Sequence, residues 1–192
     1  MKKLFVAALL SMFWIVPLGL FAENDAVDKG SLEFGLGTAF NLTLYSGNLE
    51  ATDFSIGSGG MRLNVGYFIT DRLSIGGSAY YWSWKYDGAI ESSNEFSIGP
   101  EVKYYIYVSR YVLTNLKGLF RFVSWRDPGD TDRSTRIWFG GGGAVTHLLT
   151  SNLGIYGGAD IVFSPNYKDQ GTEVIDSSYT IIDLELGFRV YL

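Results

Sequence analysis

From Ile182 to Leu192 every even position is apolar: Ile182, Leu184, Leu186, Phe188, Val190 and Leu192. The positions between them are Asp183, Glu185, Gly187, Arg189 and Tyr191. Such alternation places successive side chains on opposite faces of a strand, whereas a helix would set Leu184 and Leu186 on different sides. The spacing predicts a strand over Tyr179–Leu192 with one oily face and one charged face. In a soluble sandwich the charged face meets water. In a membrane barrel the oily face meets lipid and the charged face lines the lumen.

Upstream segments repeat the pattern. The first sets Leu32, Phe34, Leu36, Phe40, Leu42 and Leu44 against Glu33, Gly35, Gly37, Ala39, Asn41 and Thr43. The second sets Met61, Leu63, Val65, Tyr67 and Ile69 against Arg62, Asn64 and Gly66; Phe54 and Ile56 have the opposite parity, which predicts a bulge at Ser58–Gly60. The third, Leu73–Trp82, turns Ser74, Ser78, Tyr80 and Trp82 to the polar side. The fourth sets Phe96, Ile98, Val102, Tyr104 and Ile106 against Ser97, Gly99, Glu101, Lys103 and Tyr105. Pro100 falls on its oily parity, where a local bulge or one missing ladder bond accommodates it. The fifth sets Val112, Leu116, Phe120 and Phe122 against Asn115, Lys117 and Arg121. The sixth runs through consecutive glycines with Arg136 and Trp138 on the polar side. The seventh sets Leu153, Ile155, Ala159, Ile161 and Phe163 against Tyr156, Gly158 and Asp160.

The connections alternate in length. Ser46–Asp53, Lys85–Glu95, Arg126–Ser134 and Pro165–Asp176 are loops; Thr70–Arg72, Val108–Arg110 and His147–Asn152 are short turns. The short turns share one end with both termini. That asymmetry fits an even-stranded membrane barrel with short periplasmic turns and longer external loops. The expected fold is all-β: an eight-stranded antiparallel up-and-down transmembrane β-barrel.

The N-terminus bears on the compartment. Met1-Lys2-Lys3 precedes an apolar run from Leu4 to Ala22, then Glu23-Asn24-Asp25. This reads as a secretory signal peptide over residues 1–22, with a retained membrane helix as the alternative. Residues 23–30 are then a polar periplasmic tail, and residues 31–192 the barrel. Pro17 inside the run and the acids after it favour the signal. Removing residues 1–22 takes Lys2 and Lys3 away and leaves thirteen basic against twenty acidic residues, a net charge of −7. With no cysteine, neither a disulfide staple nor a lipoprotein anchor is available. The acidic balance also argues against a nucleic-acid partner. Glycine (24) and aromatics (16%) are both abundant, which suits curved strands rather than disorder.

Parity sorts the charges. Glu33, Arg62, Glu101, Lys103, Lys117, Arg121, Asp160, Asp183, Glu185 and Arg189 all fall opposite the oily set, five acids and five bases. An eight-stranded barrel is just wide enough for side chains to fill it. Charges in that space must be paired, since an isolated buried charge costs several kcal/mol. A soluble barrel is the competing reading. It would have to pack the phenylalanines and leucines inside, and their volume exceeds a small barrel. Tyr45, Tyr67, Tyr81, Tyr104, Tyr105, Tyr107, Tyr111 and Tyr191 lie near strand ends, where interfacial girdles belong.

These patterns resemble a known family. Val65-Gly-Tyr-Phe-Ile-Thr-Asp-Arg-Leu-Ser-Ile-Gly is similar to the strand–turn–strand of the small eight-stranded bacterial outer-membrane barrels. That group includes the transmembrane domain of outer membrane protein A and the OmpX, Ail and opacity types. Ile98-Gly-Pro-Glu-Val-Lys-Tyr-Tyr resembles one of their strands. Gly187-Phe-Arg-Val-Tyr-Leu resembles their terminal assembly signal, carried by Phe188, Val190, Tyr191 and Leu192, although the family usually ends in Phe and this chain in Leu192. The resemblance spans about residues 31–192 and implies residence in the outer membrane of a Gram-negative-type bacterium. The partners it implies are outer-membrane lipid and the assembly machinery. It specifies architecture and leaves activity open, since members include adhesins, anchors and a few lipid enzymes.

Candidate chemistry is sparse. His147 is the only histidine, and Thr150 and Ser151 follow it without a nucleophile–base spacing or a fitting carboxylate. Asp127, Asp130 and Asp132 are oxygen ligands of the kind Ca²⁺ takes, but a solvated Pro-Gly turn explains them as well. No catalytic, metal or cofactor site is expected, and no enzyme activity. Lys117, Arg121, Glu101 and Glu185 trace either a solute path or a static plug. The expected role is structural or surface-interacting (adhesin-like) through the external loops, toward a basic host or cell-surface protein. A narrow pore or carrier is the alternative, and a lipid-modifying enzyme a third.

Overall fold

The computed structural model describes residues 27–45, 60–84, 93–126, 134–165 and 179–192. The side chains of residues 40–45, 84 and 179 are not described. The expected signal segment, and Ser58 and Gly59 of the expected bulge, lie outside these residues.

The strands are β1 (Leu32–Tyr45), β2 (Gly60–Thr70), β3 (Leu73–Trp84), β4 (Ser93–Ser109), β5 (Val112–Arg126), β6 (Ser134–Leu148), β7 (Leu153–Ser164) and β8 (Tyr179–Tyr191). Each pairs antiparallel with its sequence neighbour, and β1 pairs with β8 from Glu33↔Tyr191 to Tyr45↔Tyr179, closing the barrel. Closure removes the sheet edges that would otherwise bond to other chains. Leu32 and Leu192 extend the seam by exchanging backbone bonds of 2.7 and 2.8 Å.

The hydrophobic alternation becomes an inside–outside alternation. In β2 burial strictly alternates from Gly60 to Phe68. Leu63, Val65, Phe122, Ile161, Leu186 and Phe188 are exposed on the outer wall, each about half accessible. Their polar neighbours are buried in the lumen. The outer wall is thus an apolar surface of the kind that lipid covers in a membrane barrel, and the interior holds the polar side chains.

Pro100 causes no bulge. The β4–β5 register passes from Ile98↔Phe122 to Glu101↔Leu119 without a shift. Shifts occur instead beside the short turns, between Phe68 and Thr70 and between Tyr107 and Ser109. A shift there reorients the last residues of a strand where pairing ends.

Several boundaries differ from expectation. β4 starts at Ser93, so Glu95 belongs to a strand and not to a loop. Arg126 closes β5, and Ser134 opens β6. The second short turn is centred on Arg110–Tyr111 rather than Val108–Arg110, and β6 continues through His147 to Leu148. In each case the ladder runs on past the point where the alternation loses contrast. Cross-strand bonding does not depend on side-chain polarity.

The polar tail is also different. Val27 is fully buried and joins Phe68, Tyr105, Tyr107, Leu113, Leu148 and Tyr191 in an apolar cluster. That cluster draws on five strands at the end of the barrel that carries both termini. A tail of charged and polar residues gives little sign of this: only Val27 is apolar between Val27 and Gly30, and its burial depends on the mouth that the strands create.

Candidate functional site

The lumen is where the functional side chains converge. All ten residues of the charge ledger are buried there. Arg62 is the hub: its guanidinium reaches Asp160 and Glu185 at 2.8 Å each and also pairs with Glu101. Lys117 bridges Asp160 at 2.9 Å and Glu185 at 2.5 Å. Arg121 bonds Asp183 at 2.7 Å and Asp160 at 3.3 Å. Lys103 links Glu101 at 3.5 Å to Glu33 at 3.0 Å, and Arg189 reaches Glu33 at 3.0 Å. The pairs form one connected path from Asp183 to Arg189.

Neutral groups take up remaining valences. Tyr105 donates to Glu33 at 2.6 Å, Arg189 donates to the Thr146 hydroxyl at 3.0 Å, and Arg62 donates to Asn64 at 3.2 Å. Arg189 also lies 4.2 Å from the Tyr156 ring centroid, a cation–π contact. Such dense pairing is what low dielectric demands: each charge removed from water needs close partners to offset its desolvation.

Above and below the charged layer lie apolar clusters. Leu119, Val123, Trp138, Val162 and Ile181 cluster toward the end opposite the termini, with Ala39, Tyr80 and Trp82 as a smaller group. At the terminal end Phe68, Tyr105 and Tyr191 from three strands meet with ring centroids 5.3 to 6.4 Å apart. Phe68, Leu113, Leu119, Val123, Leu148, Val162 and Ile181 were not singled out by composition. They sit on the parity of the charged residues, and that parity was the available signal.

Two interior charges lie outside the ledger of ten, although the alternation already sets Arg136 on the polar side. Glu95 shares the inward parity of Ser97 and Glu101, and its Oε1 is buried without a hydrogen-bond partner. Arg136 stacks on Trp125 with its guanidinium carbon 3.8 Å from the ring centroid. Adding this acid and this base leaves the interior balanced. Glu95 closes the expected loop Lys85–Glu95, and Ser93 and Asn94 before it are polar and carry no alternation that would mark the start of β4.

The tyrosine girdle divides. Tyr67, Tyr81, Tyr104 and Tyr111 face outward and are about half exposed. Tyr105, Tyr107 and Tyr191 are buried inside. They carry the inward parity, which overrides their position near strand ends. The Tyr45 side chain is outside the described residues.

His147 is exposed on the outer wall near the end of β6. The Thr150 hydroxyl accepts the N–H groups of Asn152 and Leu153 at 3.3 and 3.0 Å, and the Ser151 hydroxyl lies 2.5 Å from Asn152 Oδ1. These hydroxyls therefore serve the turn. Asp127, Asp130 and Asp132 lie outside the described residues. The expected C-terminal signal alternates in place: Phe188 and Leu192 face outward, and Tyr191 is buried.

No family model and no curated protein matches the chain. Solved structures do. Neisserial surface protein A superposes with a TM-score of 0.64 at 17% identity, covering 84% of this chain and 99% of that one. This protein has the fold of the eight-stranded outer-membrane β-barrels. The outer membrane protein OprG of Pseudomonas aeruginosa gives a TM-score of 0.54 at 8% identity, covering 88% of this chain and 99% of its own. The N-terminal β-barrel domain of OprF from the same organism gives 0.50 at 12% identity, covering 84% and 98%. The likeness is one of fold. The terminal end of such a barrel is the periplasmic one.

Proposed function

We propose that the barrel is a rigid outer-membrane platform whose external loops carry the function, in a structural or surface-interacting role. The observation that supports this is the filled lumen. One connected ion-pair network occupies its middle, and an aromatic and aliphatic cluster crosses its periplasmic end. A solute path would have to break pairs whose partners are buried, and leaving a charge unpaired there costs about 3–5 kcal/mol. Function then falls to the segments joining β1 to β2, β3 to β4, β5 to β6 and β7 to β8, which all leave from the far end.

Residues 46–59, 85–92, 127–133 and 166–178 together carry ten acidic and three basic residues, a net charge of −7, while the lumen is neutral. An acidic crown suits a basic partner on a host or cell surface. It also predicts association that slows as salt rises.

Several readings accompany this one. Residues 1–22 are a signal that is removed, and Phe188, Val190, Tyr191 and Leu192 are the segment that the assembly machinery reads. Outer-membrane lipid covers the wall.

The test compares three barrels on whole cells and in planar bilayers. Deleting residues 165–176 is expected to remove surface binding and to leave a folded barrel. Lys117→Ala with Glu101→Ala is expected to leave binding unchanged, because each residue that they contacted keeps another partner. If the loop deletion changes nothing while the lumen pair alters single-channel conductance or solute uptake, the pore reading replaces this one.

A further inference from the structure

The segment just before β1 leaves the barrel wall and crosses the periplasmic mouth. Ser31 still belongs to the ladder, since Phe68 N–H donates to its carbonyl at 3.0 Å. Gly30 then has φ +96°, in the left-handed region that glycine adopts freely. This turns the chain inward. Gly30 N–H donates to Phe68 O at 2.8 Å, Lys29 N–H to Asp71 Oδ1 at 3.1 Å, and Arg72 N–H to Val27 O at 2.9 Å. Four contacts thus hold five residues across the mouth, and they end with Val27 fully buried.

The partner turn is shaped to receive it. Among the described residues Arg72 is the one non-glycine with positive φ, 75°. Its N–H meets Val27, its carbonyl accepts Tyr105 N–H at 2.7 Å, and its guanidinium carbon lies 4.9 Å from the Tyr107 ring centroid. The Asp71–Arg72 turn therefore ties the segment to β4. Val27 belongs to a buried cluster whose other members come from β2, β4, β5, β6 and β8, which is most of the barrel's circumference.

We infer that Val27–Ser31 is a strap that seals the lumen from the periplasm, with Val27 as its stopper. The ion-pair network is then closed off at that end by packing as well as by its own pairing. This deepens the proposed function and rests on its reading of the lumen as closed. It adds a part that the strands alone do not supply.

The absence of cysteine makes the test clean, because any thiol introduced is the only one. Val27→Cys and Lys29→Cys barrels, refolded in detergent so that both mouths meet solvent, are exposed to a bulky water-soluble maleimide. Val27→Cys is expected to react about a hundredfold more slowly than the exposed Lys29→Cys, as a buried site reacts only through local opening. Equal rates would overturn the seal. In a second arm, Leu148→Cys reports the floor of the mouth. Deleting residues 27–30 is expected to speed its labelling about tenfold; an unchanged rate in a folded barrel would also overturn the seal. If the deletion prevents folding, the first arm decides alone. Surface binding is read separately on the loop deletion, so a leaking mouth together with binding lost on that deletion rejects the strap and keeps the platform, and a sealed mouth together with binding that survives it does the reverse.

Discussion

Arg62 holds three carboxylates, and at the residue scale it is the most exacting position in the lumen. Arg62→Met removes the only guanidinium that joins Glu101, Glu185 and Asp160. Lys117, Lys103 and Arg121 remain, but Glu101 keeps a single ion pair, to Lys103 at 3.5 Å. The expected loss is about 3–5 kcal/mol of stability, measured by urea unfolding of the barrel in lipid. Arg62→Lys should fall between, because one ammonium lacks the planar fork that spans three acids. A second pair of changes tests the wall. Leu186 is exposed on the outer wall, and Glu185 beside it is buried in the lumen. Leu186→Arg puts a charge at the membrane face at a cost of about 2–4 kcal/mol and is expected to block assembly. Glu185→Gln leaves Arg62 and Lys117 their other acids and is expected to be mild. Heat-modifiable mobility on gels reports both; equal tolerance would reverse the assignment of faces. The ledger of charged residues was readable from the chain because parity needs only local order. Which acid meets which base was not readable, since Arg62 and Asp160 stand 98 positions apart.

Pairing geometry governs the element scale. At Gly99 of β4 a Cβ would lie 1.8 Å from the Phe120 carbonyl oxygen of β5. Backbone cannot step aside without losing the ladder, so Gly99→Ala is expected to unsettle the β4–β5 pair and to lower the folded fraction. At Gly118 on the outer wall nothing lies within 4 Å of the same atom. Gly118→Ala is expected to be neutral or mildly stabilising, because alanine has less backbone entropy to lose. The comparison is made by refolding yield and midpoint. The sequence locates both glycines within strands but does not distinguish them. The close approach exists only once β4 and β5 are in register. Element boundaries show the same limit: alternation fades near Ser93 and Ser134, yet the ladder continues because its bonds are made by backbone.

For the whole molecule, charge separates the two ends of the argument. The lumen sums to zero while the external segments carry the net −7. Association with a basic surface is expected to slow by several-fold between low and physiological salt, whereas barrel stability should change little, because exposed charges are screened and buried pairs are not. A binding rate indifferent to salt would argue against an electrostatic partner. Conductance is expected to stay at the bilayer baseline for the intact barrel, given the filled middle and the aromatic cluster at the periplasmic end.

The chain by itself determined the strand periodicity, the eight-stranded closed topology, the outward oily face and the inward charges. Those follow from a two-residue repeat and from alternating connection lengths, both local properties. Tertiary structure decided the pairing within the network, the stacking of Arg136 on Trp125, the extension of β4 back to Ser93 and Glu95, and the burial of Val27. Each of these depends on distance through the lumen rather than along the chain. A polar tail cannot announce that its one valine fits a mouth that forms only when strands far apart in sequence close around it.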